Sequence, residues 1–184
     1  MAMWTYALAD RKGGSSELLA QISDATVRDA ERLVQNSRQN GYGNTMSLSD
    51  YVWGSNGVAG NQSLELIVAN RLRKNDEFLQ AAAENLHYLL GRNCWDLSWV
   101  TQLGRRAFEH PHHRPSGADN IAAPWPGLLS GGPNAYPGDR VAAQLPKSPP
   151  MKMYKDDQGA YSLNEIAINW NAPLVFLLAA LNDQ

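Results

Sequence analysis

Apolar residues recur at helical intervals in several stretches of the chain, and none alternates convincingly in the two-residue period of a half-buried strand. The clearest stretch is "SDATVRDAERLVQNSRQN". It follows a Ser or Asp cap with Ala25, Val27 or Arg28, Ala30, Leu33 and Val34 at helical spacing before the Asn40-Gly41 stop, and predicts a helix. "NQSLELIVANRLRKN" and "NDEFLQAAAENLHYLLGRN" read as an antiparallel helical pair joined by two or three residues. The second opens near Asn75-Asp76, closes at Gly91, and turns Leu79, Ala82, Ala83, Leu86, Leu89 and Leu90 inward. A short helix is expected through Trp4 to Ala9. A last one is expected from about Leu163 to Leu181, interrupted only by Pro173.

Between Gly104 and Tyr161 nearly sixty residues rich in Pro, Gly, Asn and His show neither period. Irregular segments longer than about 15 residues are uncommon and are usually functional or disordered. This one holds Trp125, Tyr136 and Leu128-Leu129, so it reads as ordered surface walling a site. Helix pairs with long loops at one end suggest a helical barrel or toroid, with an irregular bundle as the other all-α solution.

Composition narrows the partner. Of 184 residues 43% are hydrophobic and 18% charged, the range of a globular protein that buries a core. The net charge of -2 lacks the electrostatic footprint of a nucleic-acid binder, and no Lys/Arg run suggests a membrane surface. Cys94 is the single cysteine, which excludes an internal disulfide framework and a cysteine-based zinc site. No basic segment leads into an apolar run in the first residues, so no export signal is expected in them, and no stretch of about 20 apolar residues offers a membrane span. Six tryptophans and seven tyrosines against three phenylalanines favour a neutral, amphipathic ligand, since Trp and Tyr combine an apolar face with a polar edge.

Two segments carry candidate chemistry. "FEHPHHRPSG" holds three of the four histidines followed by Arg114. It reads as a set of hydroxyl-binding donors, as a hydrogen-bonded loop anchor or, with least support from the spacing, as a metal site. "YKDDQGAYSLNEIAINWNAPLVF" starts a wholly apolar helix with a carboxylate, three asparagines and a tryptophan, each costing about 1–3 kcal/mol if buried without a partner. Ser162 to Glu165 fits a capping box in which the glutamate only finishes the helix, and Asp156 sits in an ordinary turn composition. Taken together, a carboxylic acid, a basic hydroxyl-binding loop and aromatic platforms suit a polysaccharide, with Glu165 as the acid of glycoside hydrolysis.

"SWVTQLGRRAFEHPHHR" and "YKDDQGAYSLNEIAINWNA" resemble the two signature regions of glycoside hydrolase family 9, the cellulases and related β-glucanases. "DYVWGSN", "LHYLLGRN", "PWPGLLSGGPN" and "NWNAPLVFLLAAL" follow the family's order over most of the chain. The resemblance implies an all-α fold, the C-terminal half of an (α/α)6 barrel with long irregular loops, with residues 1–184 as a single region. It implies Glu165 as general acid, Asp156 as the active-site aspartate of the same signature, and His112 and Arg114 binding sugar at the cleavage point. His113, Tyr161, Trp53 and Trp125 would line the cleft. The reaction implied is inverting hydrolysis of β-1,4-glucosidic bonds in cellulose-like polymers or cello-oligosaccharides, without a cofactor or metal, in a secreted or periplasmic setting. The family's base belongs to an Asp-x-Gly-Asp motif that does not occur in these residues. Besides the glucan, the expected partner is therefore the missing N-terminal half of the barrel or a second copy of this chain. The rival readings are a carbohydrate-binding fragment without the base and a helical interaction domain.

Overall fold

The computed structural model describes residues 1–9 and 13–182. Four long helices form the frame. α1 is Ala2–Leu8, α2 Ser16–Gln39, α3 Ser55–Leu72, α4 Asp76–Leu89, α5 Arg114–Ala118, α6 Tyr161–Asn164 and α7 Ile168–Asn182. Among the described residues β structure is limited to isolated bridges between loop segments.

The frame follows the apolar spacing, with instructive differences. α2 begins at the Ser15 cap, whose side chain accepts from the Leu18 amide at 3.2 Å, well before the expected Ser23 or Asp24. Those two residues lie inside the helix, and Asp24 pairs with Arg73 at 2.7 Å. α3 and α4 form the expected antiparallel hairpin, with Asn75 capping α4 by accepting from the Glu77 amide at 3.1 Å. The inward face of α4 is turned from the expected one. Phe78, Ala81, Ala82, Asn85, Tyr88 and Leu89 are buried, because Asn85 has polar partners inside in Thr45, Ser63 and the Ala59 carbonyl.

α3 also starts earlier than its apolar pattern indicates. Its first turns are "SNGVAG", a loop-like composition, yet they are helical because α7 lies directly on them. A Cβ on Gly57 would come within 2.4 Å of the Trp170 ring, and one on Gly60 within 3.1 Å of Pro173. Small residues are thus the condition for this close approach. The expected helix from Leu163 is in fact two helices, α6 and α7, broken at residues 165–167, where the backbone turns outward to pair with neighbouring loops.

Two clusters fill the interior. One joins α2, α3, α4 and α7 through Leu33, Leu66, Phe78 and Leu177. The other lies beneath the long irregular segment, where Trp99, Phe108, Leu129 and Leu163 are fully buried. This second core explains why nearly sixty residues without helical or strand periodicity hold a defined shape, with only α5 and short 3-10 turns as regular structure.

Candidate active site

Glu165 stands at the break between α6 and α7. It is the C-cap of a one-turn helix in extended conformation (φ -61°, ψ 145°), so it does not occupy the third position of a capping box. Ser162 is inside α6, and its hydroxyl is committed to Asp139. The Glu165 backbone is held from two sides. Its carbonyl accepts from the Gly131 amide at 3.0 Å, and the preceding Asn164 carbonyl accepts from the His112 amide at 2.8 Å. The side chain is left to face the loops, with Oε2 accepting from the Trp53 indole Nε1–H at 3.0 Å.

Three other residues expected in the site form one contiguous group with Glu165. The Trp53 and Tyr161 rings lie 5.8 Å apart, and Tyr161 and His112 5.6 Å apart, both tilted. Trp53 and Tyr161 keep 44% and 38% of their surface exposed, enough for a flat ligand to lie against them. His112 Nδ1 lies 2.9 Å from the Gln158 carbonyl oxygen. A carbonyl can only accept, so Nδ1 carries a proton and Nε2 is the ring nitrogen left for another partner.

The other expected residues lie around this group in different roles. Both oxygens of Asp156 accept backbone amides, Glu109 and His110 at 2.8 Å each, and His110 Nδ1 lies 3.4 Å away. Asp156 thereby ties down the segment that leads into His112. His113 caps α5 through Ser116 and meets Trp125 edge-on at 5.3 Å. Trp125 donates to Asp119 at 2.7 Å. The Ile121 amide and then the Trp125 indole hold the Asp119 carboxyl below its ordinary range. Arg114 opens α5, exposed, and makes no ion pair among the described residues. The three clustered histidines therefore turn to three different partners, Asp156, Gln158 and Ser116.

Sequence reasoning missed the residues that hold the group in place. Asp139 is buried and accepts from the Ala142 amide at 2.7 Å, the Ser162 amide at 3.0 Å and the Ser162 hydroxyl. Burial alone would raise its carboxyl, but hydrogen bonds from Ala142, Ser162 and Val141 outweigh this and lower it. Asn164 accepts from the Tyr154 hydroxyl and donates to the Lys155 and Asp157 carbonyls, fastening the Asp156 segment to the Glu165 helix. Burial, and next the charge of Asp156, pushes Tyr154 well above its ordinary range, so its hydroxyl stays a donor. The asparagines at the helix mouth are thus partly explained. Asn164 and Asn171 serve loop backbone, while Glu165 points into the ring cluster.

Comparison with known proteins covers nearly the whole chain. Residues 2–178 match the profile of glycosyl hydrolase family 9. The chain is 42% identical over 172 residues to a cellodextrinase of Butyrivibrio fibrisolvens, covering 92% of this chain and 31% of that protein. It is 40% identical over 179 residues to endoglucanase D of Acetivibrio thermocellus, covering 97% of this chain and 26% of the relative. The fold superposes on a single mutant (D468A) of a thermostable endoglucanase from Alicyclobacillus acidocaldarius with a TM-score of 0.93 at 34% identity, over 99% of this chain and 35% of that one. The chain thus spans about a third or less of the length of these proteins.

Proposed function

The chain belongs to glycosyl hydrolase family 9 and has the helical architecture of part of that family's (α/α)6 barrel, and on that premise we propose that it supplies the acid side of a β-1,4-glucan hydrolase. The substrate is a cellulose-like polymer or cello-oligosaccharide, cleaved with inversion. Glu165 protonates the departing glycosidic oxygen. A second carboxylate, from a part of the catalytic domain outside these residues, activates water on the opposite face about 6.5–9.5 Å away.

The observation that carries this reading is the setting of Glu165. Its backbone is fixed by Gly131 and His112, its side chain stands among Trp53, Tyr161 and His112, and one carboxyl oxygen, Oε1, has no hydrogen-bond partner among the described residues. Sugar rings present apolar C–H faces to the two aromatics and hydroxyls to His112 Nε2 and the Arg114 guanidinium. Trp125 and His113 extend the surface. Asp156 acts by holding the histidine segment, since its oxygens are already committed to amides. A polymeric substrate favours a secreted or periplasmic setting.

Glu165→Gln, in a preparation that includes the rest of the catalytic domain, is expected to lower turnover of soluble cellulose derivatives about 100- to 10,000-fold with cello-oligosaccharide binding retained. Near-normal turnover would remove Glu165 from the acid role. The exposed aromatic surface around Glu165 also suits one alternative, a carbohydrate-binding role without cleavage. On that reading cello-oligosaccharides raise the melting temperature of the 184-residue chain while no reducing ends appear.

A further inference from the structure

We propose that Trp53 is a positioning residue that selects which oxygen of Glu165 carries the transferable proton. The inference rests on the reading of Glu165 as the acid, and it starts from the 3.0 Å contact between the Trp53 indole Nε1–H and Oε2. An indole nitrogen donates and never accepts. When Glu165 is protonated, its carbonyl oxygen is a better acceptor than its hydroxyl oxygen, so the indole favours Oε2 as the carbonyl. The acid proton therefore resides on Oε1, and Oε2 acts as the carbonyl oxygen of the acid. Oε1 is also the oxygen without a partner among the described residues, so the proton sits on the open side of the carboxyl.

The indole is placed to do this by structure far from it in sequence. Trp53 sits in the turn before α3, preceding Gly54, whose left-handed backbone (φ 83°) caps the helix. A Cβ on Gly54 would lie 2.5 Å from the Trp170 ring, so the turn has little freedom to move. One side of the indole meets Tyr161, and its six-membered ring approaches Gly138, where a Cβ would be 3.7 Å away. The loop holding Gly138 is in turn fixed to α6 by Asp139. A side chain packed against two neighbours offers a donor in one fixed direction.

In the step itself the Oε1–H bond breaks and the proton goes to the glycosidic oxygen. The C–O bond electrons leave with that oxygen, and Glu165 is left as a carboxylate. The Trp53 hydrogen bond then becomes charge-assisted, which makes it stronger in the product state of the acid than in the reactant state.

The test uses the chain alone and needs no turnover. Among the six indole N–H signals in a 15N–1H spectrum, the one lost in Trp53→Phe reports the contact. In the wild-type chain this signal is expected to move in one titration step as Glu165 ionises. In Glu165→Gln, whose amide carbonyl replaces the acid carbonyl, it stays at the low-pH position at every pH. In Glu165→Ala it shifts to the position of a water-exposed indole and is likewise pH-independent. The other titratable groups that could reach the indole are Tyr161, which packs on it, His112, which packs on Tyr161, and Asp139, next to Gly138; a signal that still titrates in Glu165→Ala would assign the effect to them and overturn the proposal. A pH-invariant wild-type signal, or a Glu165→Gln signal coinciding with that of Glu165→Ala, would overturn it as well. Failure of the acid reading looks different: the indole titrates as described while Glu165→Gln leaves turnover intact.

Discussion

Asp139 shows how much of this site rests on a side chain that touches no substrate. It is buried, and its two oxygens collect the Ala142 amide, the Ser162 amide and the Ser162 hydroxyl. Asp139→Ala removes both acceptor oxygens and leaves the three donors unpaired, at about 1–3 kcal/mol each where they are buried. The melting temperature is expected to fall by about 5 °C or more in a chain of this size, and an unchanged melt would mean the loop is held by something else. The same residue explains why the capping-box reading of Ser162 and Glu165 fails. The box is a local rule, and the Ser162 hydroxyl answers to an aspartate 23 positions away. His112, Tyr161 and Glu165 were legible because they fall in recurrent motifs, and the structure brings them into one group with Trp53. Asp139, Asn164 and Tyr154 were not, because their meaning lies in partners that only the folded chain supplies.

At the scale of elements, helix stops and the α3–α4 turn were legible, since Asn40-Gly41 and Asn75-Asp76 carry their own backbone preferences. The start of α3 was not. Gly57 and Gly60 read as loop formers until α7 is present to require them. The α2–α3 contact holds a further consequence in Glu65. Burial, then a hydrogen bond and repulsion from Asp29 of α2, raise its carboxyl from 4.5 to about 7, against a smaller lowering by Arg32. Its pKa is higher in the folded than in the unfolded chain, so the folded state binds the extra proton. The associated stability is fully present below about pH 4.5 and is lost as pH rises through about 7. At this half-buried position solvent screening reduces the effect to on the order of 1–2 kcal/mol. Glu65→Gln should therefore melt close to wild type near pH 4.5 and above it at pH 8. An equal offset at both pH values would sink the assignment.

At the scale of the whole molecule the apolar surface of α7 remains to be explained. Its inner side, Leu174 and Leu177, is buried against the frame, while Ile168, Val175, Phe176 and Leu178 are exposed, Ile168 by 88% and Val175 by 64%. Phe176 also borders a groove of about 520 Å³ formed with Leu8, Ile67, Val68 and Leu79, so α1, α3 and α4 share this face. The helix is apolar nearly all round, the signature of an element buried on more than one side. Its sequence, "NWNAPLVFLLAALN", announces this burial without saying what provides it. A contiguous apolar surface of this kind marks an interaction site, and we propose that the remaining part of the barrel, or a second copy, covers it. Isolated in solution, the chain is expected to sediment above its 20.3 kDa monomer mass. Ile168→Lys combined with Val175→Lys should return it to the monomer with little change in melting temperature, because both side chains are mostly exposed within the chain. Wild-type protein that stays monomeric at tens of micromolar would rule out the second copy. The face would then be left to the rest of the catalytic domain, and adding that part as a separate chain should restore both association and glucan cleavage, the latter only where Glu165 is intact.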